Sequence, residues 1–257
     1  MIHDSNLVYG NKERVFVNTV LGCRAKCSYC YLPDFDLDEK IQYFSAKDVI
    51  EQVIELPYFI KGKEGTIISI GCYSECWDER NRKETMHLIK YFAQFGNYIQ
   101  LATKKEILFG ELVTINKMLL FEKQLGIYIS VPCISASKKL EPGTDSIIKR
   151  LKPLEYKNQF CSIYFVLYIK PILQDVTIKD KQEYCKLIKK YKINTVVGSL
   201  LQFDDEILTD KALVGENRLK EIDCIDNRLL IKELKSVGKV FIHSIDIIKE
   251  LRTKGEK

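Results

Sequence analysis

The sequence predicts an α/β protein, a partial (β/α)6 barrel of the TIM type with a small carboxyl-terminal helical appendage. Short apolar runs rich in β-branched residues alternate with segments in which apolar residues recur at helical spacing. This alternation is typical of a parallel sheet covered by helices, with right-handed connections. Six such units are too few to close an eight-stranded barrel, so the sheet is expected to remain partly open.

The six predicted strands follow from the apolar runs in chain order. The first run, 15–21, is rich in valine, and Gly22 then releases the chain into a loop. The later runs predict strands at 66–70, 98–102, 127–131, 161–169 and 193–198, with a further short strand at 240–242.

Helices are predicted between these strands. The first begins after Ser45, because a serine followed three positions later by Asp48 is typical of a capping box, and it ends near Pro57. The other helices are expected at 79–95, 105–122 with an interruption at Gly110, 145–156 and 179–191, with two or three more within 205–257.

Composition indicates a globular chain of one domain, with a core at 1–204 and the appendage at 205–257 packed on it. The chain has 257 residues, of which 46% are hydrophobic and 29% charged. There is no apolar run of 18 residues, so neither a membrane span nor a membrane partner is expected. The net charge of +5 permits an anionic substrate without requiring nucleic acid.

The cysteine content favours a reducing compartment. Nine cysteines occur in a chain whose amino terminus does not have the pattern of a signal peptide. A disulfide framework is therefore not expected, and we predict a cytoplasmic location.

Three cysteines lie together on the loop after the first predicted strand, at Cys23, Cys27 and Cys30. Thiolates are soft ligands that select zinc, Cu(I) or iron–sulfur clusters. A structural zinc site normally has four protein ligands, often in two Cys-x2-Cys pairs, and here there is no second pair. Three cysteines can instead hold a cubane cluster with one iron left open for a small molecule.

The spacing Cys-x3-Cys-x2-Cys, with Tyr29 before the last cysteine, resembles the radical S-adenosylmethionine (SAM) superfamily. The resemblance implies a [4Fe-4S] cluster on the three cysteines, with SAM chelated to its open iron. It also implies reductive cleavage of SAM to a 5′-deoxyadenosyl radical that abstracts hydrogen from a substrate. The partners would be that substrate and an electron donor such as flavodoxin or ferredoxin.

Motifs after the later strands make the resemblance more specific. A stretch from Gly71 to Glu75 follows the second predicted strand, Thr103-Lys104 follows the third, and Glu141-Pro-Gly with Arg150-Leu follows the fourth. This series, within about 15–175, is similar to the spore photoproduct lyase branch. The aromatic and basic hairpin by which that lyase engages DNA is not found in 205–257.

Carried over by position, the resemblance implies roles for individual residues. Cys72 would return a hydrogen atom to the product radical, which suits the weak S–H bond of a thiol, and Tyr31 beside the substrate pocket is the second catalytic candidate. Lys104 would pair with the SAM carboxylate through a charge-assisted bond. The other expected SAM contacts are Tyr29, Ser74, Glu75 and Ser130.

Structural alternatives accompany these assignments. Cys72 could instead pack as a small hydrophobe, and Cys76, four residues later, is a competing candidate for the hydrogen donor. Glu141 and Arg150 could either contact a ligand or form an ion pair that only stabilises the fold. The remaining cysteines are expected in the core, namely Cys133, Cys161, Cys185 and Cys224.

Alternative functions also stay open. The chain could be a DNA photoproduct repair lyase proper, or it could act on another nucleic acid, a peptide or a small metabolite. A different class is a non-catalytic metal-binding module, with an iron–sulfur cluster or with zinc on the three cysteines and a fourth ligand.

Overall fold

A computed structural model of the chain describes residues 7–35, 37, 40–202, 220–222 and 225–255. The strands are β1 (Val8–Gly10), β2 (Arg14–Val17), β3 (Val20–Leu21), β4 (Gln42–Tyr43), β5 (Ile67–Ile70), β6 (Ile99–Thr103), β7 (Leu125–Ser130), β8 (Ile163–Ile169), β9 (Ile172–Leu173), β10 (Asn194–Val197), β11 (Leu200–Gln202), β12 (Lys220–Ile222) and β13 (Val240–Phe241).

The helices alternate with these strands. They are α1 (Ala46–Glu55), α2 (Arg82–Gln94), α3 (Phe109–Met118), α4 (Ser137–Leu140), α5 (Ile147–Leu151), α6 (Lys181–Tyr191), α7 (Ile225–Lys235) and α8 (Ile245–Gly255), with 3-10 turns at Leu32–Phe35, Lys152–Gln159 and Thr177–Asp180. None of the described helices is both long and apolar enough to cross a lipid bilayer.

The main sheet contains eight strands in the order β1-β2-β5-β6-β7-β8-β10-β13. All neighbours in it are parallel except β1, which pairs antiparallel with β2. The six predicted barrel strands are therefore adjacent in chain order, and the predicted fold class is confirmed. Two smaller sheets accompany it, with β9, β11 and β12 in one and β3 and β4 in the other.

The first predicted strand, 15–21, is wrong in its extent because it divides into two strands. β2 ends at Val17, and β3 turns away to pair with β4. The break falls at two buried polar residues whose side chains bond to other segments. Asn18 Oδ1 accepts from the Tyr73 backbone at 2.9 Å, and the Thr19 hydroxyl donates to Asn81 at 2.6 Å.

Each of the five helices predicted before residue 205 is present, with changes at its ends, and α7 and α8 lie within 205–257. The short helix α4 was not predicted. The Ser45 capping box is present, with its hydroxyl accepting from the Asp48 backbone. The predicted interruption at Gly110 is wrong, since Gly110 lies inside the first turn of α3. The predicted helix at 145–156 is α5 followed by a 3-10 turn, into which Pro153 enters at an early position.

The two faces of the main sheet have different neighbours. On β2, Val15 and Val17 are fully buried in the large core that contains residues of α1, α2, α3, α6 and α7. Arg14 and Phe16 alternate with them and are half-buried on the opposite face, which we name the inner face. The amino-terminal part of the inner face is covered by α8, which contributes Ile245, Ile247 and Ile248 to a second core cluster.

The carboxyl-terminal segment is joined to the barrel at several points. β13 pairs in parallel with β10, and the Tyr128 hydroxyl donates to the Ser244 carbonyl at 2.8 Å. Arg252 donates to the Lys63 carbonyl at 3.0 Å. The predicted boundary at residue 204 and part of the segment 205–257, in which no DNA-binding hairpin is predicted, lie outside the described residues, so both stay predictions.

Candidate functional site

The three cysteines of the predicted metal loop follow β3. Gly22, with φ of +100°, begins the turn out of the strand. Cys27 is buried and Cys23 and Cys30 are half-buried, and all three pack with Ala25 and Tyr29 in one small apolar cluster. Burial raises the pKa of Cys23 to about 12 and also raises that of Cys27. Cys27 and Cys30 raise the pKa of Cys23 further, and Cys30 also raises that of Cys27. The loop therefore brings all three sulfurs into electrostatic contact.

The donor set fits an iron–sulfur cluster better than a single ion. Within the described residues, no group of three or more His, Cys, Asp or Glu side chains is arranged to hold one metal ion. A single zinc ion needs four ligands at short distance, whereas a cubane separates its thiolate ligands more widely. All eight described cysteines are free thiols. Three free thiols on one loop, with no fourth ligand grouped with them among the described residues, are the donor set that a [4Fe-4S] cluster with an open iron requires.

The loop is held in place by the Glu141-Pro-Gly turn. The Ser28 backbone donates to the Leu140 carbonyl and the Gly143 backbone to the Ala25 carbonyl, each at 2.9 Å. At Gly143 any side chain would collide with this loop, since its Cβ would lie 2.6 Å from the Ala25 Cα. The predicted branch motif thus acts first as a support for the cysteine loop.

Glu141 and Arg150 form a buried ion pair beneath the loop. Their charged groups are 2.7 Å apart, and their side chains are 0% and 1% exposed. Glu141 also accepts from the Tyr29 hydroxyl, and Arg150 donates to the Ser130 carbonyl at 3.1 Å. Of the two alternatives considered from the sequence, the structural ion pair is therefore the one that the contacts favour.

Lys104 follows β6 at the carboxyl edge of the sheet. Its ammonium lies 5.6 Å from the centroid of the Tyr29 ring. Burial lowers the pKa of Lys104, but the negative charges of Cys27, Glu141 and Glu75 outweigh burial and raise it to about 12. A lysine in this environment stays charged at neutral pH and can pair with a carboxylate beside the cysteine loop.

Ser74 and Glu75 lie on the turn after β5. The Glu75 carboxylate accepts from the backbones of Trp77 at 3.0 Å and Lys104 at 2.8 Å, and from the Thr103 hydroxyl. Ser74 accepts from Asn81 at 3.5 Å. Glu75 therefore links the ends of two neighbouring strands, in addition to any contact with a ligand ammonium.

Ser130 ends β7 and is buried on the inner face. It is in register with Tyr168 of β8, and both residues lie near the carboxyl edge of the sheet. Tyr29, Lys104 and Ser130 thus belong to neighbouring segments at that edge.

Cys72 and Tyr31 meet, because the Tyr31 hydroxyl donates to the Cys72 carbonyl. Burial raises the pKa of Cys72 to about 11, although a hydrogen bond with Tyr9 acts in the opposite direction. The Cys72 thiol therefore stays protonated near neutral pH, as a hydrogen donor must. Tyr31 itself is 43% exposed and faces Tyr73 edge-on at 6.5 Å.

Cys76 has a structural position. Its side chain is fully buried, and its thiol lies 3.5 Å from the Ala102 carbonyl. Gly71 makes room for it, since a Cβ there would lie 2.5 Å from the Cys76 Cβ. Among the other cysteines, Cys133 and Cys185 are buried as expected.

The expectation for Cys161 is wrong. Its side chain is exposed because it precedes the first residue of β8. Cys224 lies outside the described residues.

Several residues near Cys72 were not identified from the sequence. Tyr9 stacks on Phe16 at 4.9 Å and on Tyr73 at 5.2 Å, and the Arg14 guanidinium lies 4.4 Å from the Phe16 centroid. The alternation of polar and aromatic residues with valine in Arg14-Val-Phe16-Val was the available signal. It indicates a strand with one face that is not part of the apolar core.

A cavity of about 400 Å³ lies beside the cysteine loop, lined by Arg24, Trp77, Arg82, Lys105 and several carboxylates. The charges around it largely compensate each other. Arg24 pairs with Asp78 and Glu79, and Lys105 lies 3.8 Å from Asp145. None of the predicted SAM contacts lines this cavity.

Comparison with known proteins gives fold similarity alone. No protein-family model and no curated protein sequence matches the chain. A spore photoproduct lyase variant with bound AdoMet and dinucleoside spore photoproduct superposes with a TM-score of 0.61 at 14% identity, over 89% of this chain and 76% of the lyase. Streptococcus suis SuiB bound to S-adenosylmethionine gives 0.60 at 14% identity, over 91% of this chain and 51% of SuiB. The fold is thus that of the radical SAM partial barrels.

Proposed function

We propose that this chain is a radical SAM enzyme that carries one [4Fe-4S] cluster on Cys23, Cys27 and Cys30. The observation that carries the proposal is the position of three free thiols on one loop of a parallel partial barrel. Ligands of such folds bind at the carboxyl edge of the sheet. Similarity to two structures solved with bound SAM supports the same assignment.

When bound, the cluster would supply the electron that cleaves SAM to a 5′-deoxyadenosyl radical. The Lys104 ammonium would bind the SAM carboxylate, with Ser130 near the methionyl end and Tyr29 beside the adenosine. Glu75 and Ser74 would complete the SAM site from the neighbouring turn. Because Glu75 already holds the backbone of Lys104, it would also position that lysine.

The residues on the substrate side would be Cys72 and Tyr31. A protonated thiol can give a hydrogen atom to a carbon radical, and its raised pKa keeps Cys72 in that form. Tyr31 holds the Cys72 backbone and presents its ring at the mouth of the barrel. We therefore propose Cys72 as hydrogen donor, in a lyase or another reaction that modifies the substrate.

The test is anaerobic reconstitution followed by assay of SAM cleavage with a chemical reductant. The expected result is about four irons per chain and formation of 5′-deoxyadenosine. Replacing the three loop cysteines by Ala should abolish both, whereas the matched variant Cys185→Ala, which alters a buried cysteine of α6, should abolish neither. Unchanged iron binding in the triple variant would refute the proposal.

A narrower candidate is repair of a DNA photoproduct. It is favoured by the superposed lyase structure, which was solved with a dinucleoside spore photoproduct. SuiB, of similar fold, was solved with a precursor peptide, which favours a peptide substrate equally. Ultraviolet-damaged DNA should change deoxyadenosine turnover if repair is the function, and no change would remove this candidate.

We further propose a flavodoxin or ferredoxin as electron donor and a cytoplasmic location, because the cluster loop requires reduced thiols. The alternative of a zinc module predicts colourless protein that contains zinc and no sulfide. Metal analysis of freshly purified protein separates the two.

A further inference from the structure

Arg14 is a cation inside the barrel. It lies on the inner face of β2, and its guanidinium bends over Phe16 at 4.4 Å. Phe16 is the next inner-face residue toward the carboxyl edge, so the guanidinium extends toward that edge. Beyond it, Tyr9 stacks on Phe16 and hydrogen-bonds with Cys72. Arg14 is thus connected to the proposed hydrogen donor through two aromatic rings.

Arg14 has no carboxylate partner among the described residues. Its only polar contact there is with the Ser244 hydroxyl at 3.1 Å. The neighbouring Glu13 pairs instead with Lys249 at 2.7 Å. The guanidinium of an arginine presents a planar set of donors that suits a carboxylate or a phosphate. Within the described residues, the Arg14 guanidinium is therefore without the anion that its planar geometry can bind.

A second cation approaches from the opposite side of the barrel mouth. Lys170 follows β8, and its side chain runs along Gly198, where any Cβ would lie 2.6 Å from the Lys170 Cγ. Like Arg14, it forms no ion pair within the part of the chain that the structure describes. Both cations act on the Cys72 thiol electrostatically.

A third observation concerns the inner face between them. Gln100 is 5% exposed and donates to the Ser69 hydroxyl at 2.6 Å, while its side-chain carbonyl oxygen has no partner among the described residues. Ser69 is in register with Phe16 and with Gln100 on the neighbouring strands. A buried acceptor without a donor is costly, so this part of the inner face is suited to a polar molecule.

We infer that the substrate is a small organic anion whose phosphate or carboxylate binds Arg14 and Lys170, close to Cys72. This inference rests on the proposed function and names its substrate class. The anion would satisfy the guanidinium by a bidentate contact, with Lys170 as a second point charge. The reacting carbon would then be held near the Cys72 thiol by charge, and the stacked rings of Phe16, Tyr9 and Tyr73 would form the wall of the site.

The experiment measures anion preference at Cys72 without a substrate or a cluster. Full-length protein is alkylated with iodoacetate, an anion, or iodoacetamide, its neutral counterpart, and the rate at each cysteine is read by peptide mass spectrometry. The exposed Cys161 serves as the internal reference. We expect the ratio of the iodoacetate rate to the iodoacetamide rate to be about tenfold or more higher at Cys72 than at Cys161. The reason is that a positive potential raises the local concentration of an anion but not that of a neutral reagent.

Variants test whether Arg14 causes the preference. Arg14→Gln should lower the Cys72 ratio several-fold, whereas Arg14→Lys should retain most of it. Arg252→Gln is the matched control, since it removes an arginine that also lies near an aromatic ring, at 5.6 Å from Tyr98. Arg252 contacts the backbone before the start of β5, whereas Cys72 follows the end of that strand. That variant should leave the ratio unchanged. If Arg14→Gln does not fold, Lys170→Gln at an exposed position provides the second test.

Added salts show whether the anionic group that binds beside Cys72 is a phosphate or a carboxylate. Protection of Cys72 by sodium phosphate alone supports a phosphate ester, and protection by sodium acetate as well supports a carboxylate. A Cys72 ratio no greater than that of Cys161, or one that Arg14→Gln leaves unchanged, would overturn the inference. Because this readout needs neither iron nor SAM, absent SAM cleavage would count against the proposed function alone.

Discussion

Replacing Arg150 by Met should destabilise the protein strongly. Arg150 has a side chain that is 1% exposed, and it pairs with a Glu141 side chain that is 0% exposed. Its other contacts are the carbonyls of Asp145 at 2.7 Å and Ser130 at 3.1 Å and the hydroxyl of Thr144. Methionine fills much of the volume but leaves the buried Glu141 carboxylate with the Tyr29 hydroxyl as its only hydrogen-bond partner among the described side chains.

The magnitude follows from the burial of the pair. Removing one partner of a buried ion pair costs about 3–5 kcal/mol, because the remaining charge is uncompensated. For a chain of this size, 1 kcal/mol corresponds to roughly 2–4 °C in melting temperature, so a decrease of roughly 6–20 °C is expected. Adding Glu141→Gln should recover part of the loss, since the isolated charge is then removed as well.

The assay is urea unfolding of both single variants and the double variant, followed by circular dichroism. Lys186→Met is the matched control, because it breaks the Lys186–Glu183 pair, whose side chains are 71% and 52% exposed. An exposed pair contributes about 0–1 kcal/mol. A loss below about 1 kcal/mol for Arg150→Met, or costs that simply add in the double variant, would contradict the role of the buried pair.

Three further predictions concern single positions. Gly71→Ala should destabilise the protein by about 1–3 kcal/mol, because Gly71 has φ of +83° and an added Cβ would collide with Cys76. Thermal unfolding measures this loss, and an unchanged melting temperature would show that the turn can rearrange. Ser45→Ala should cost about 1 kcal/mol through loss of the α1 cap, with Ser45→Asp as the variant that retains it in urea unfolding. The raised pKa keeps Cys72 in its unreactive thiol form, so its alkylation rate should increase with pH up to about 11; a midpoint below pH 9 would show that burial does not govern this thiol.

Local sequence patterns were sufficient to predict those features that depend only on residues close together in the chain. The capping box at Ser45 involves residues three positions apart, and the Cys23–Cys30 spacing brings three thiols onto one loop in any fold. The strands alternate with helices because periodicity is a property of each segment alone. The sequential order of the barrel strands was observed in the structure, because right-handed connections alone also allow other strand orders.

Long-range contacts depended on the tertiary structure. Tyr29 and Glu141 are 112 residues apart in the chain, and Tyr31 meets the Cys72 backbone from 41 residues away. Neither contact follows from periodicity, because each requires a particular register between strands and a particular loop path. The break after Val17 likewise depends on buried partners, Tyr73 and Asn81, that approach only in the folded chain.

The sequence alone therefore determined the α/β class and the three-thiol loop, because both are encoded within short segments. Only the tertiary structure decided that Glu141 and Arg150 support that loop, that Cys76 belongs to the core, and that Arg14 extends toward Cys72 without a carboxylate partner among the described residues. The physical reason is that burial and charge pairing depend on which side chains are in contact, and those contacts are set by the packing of segments that are distant in the chain.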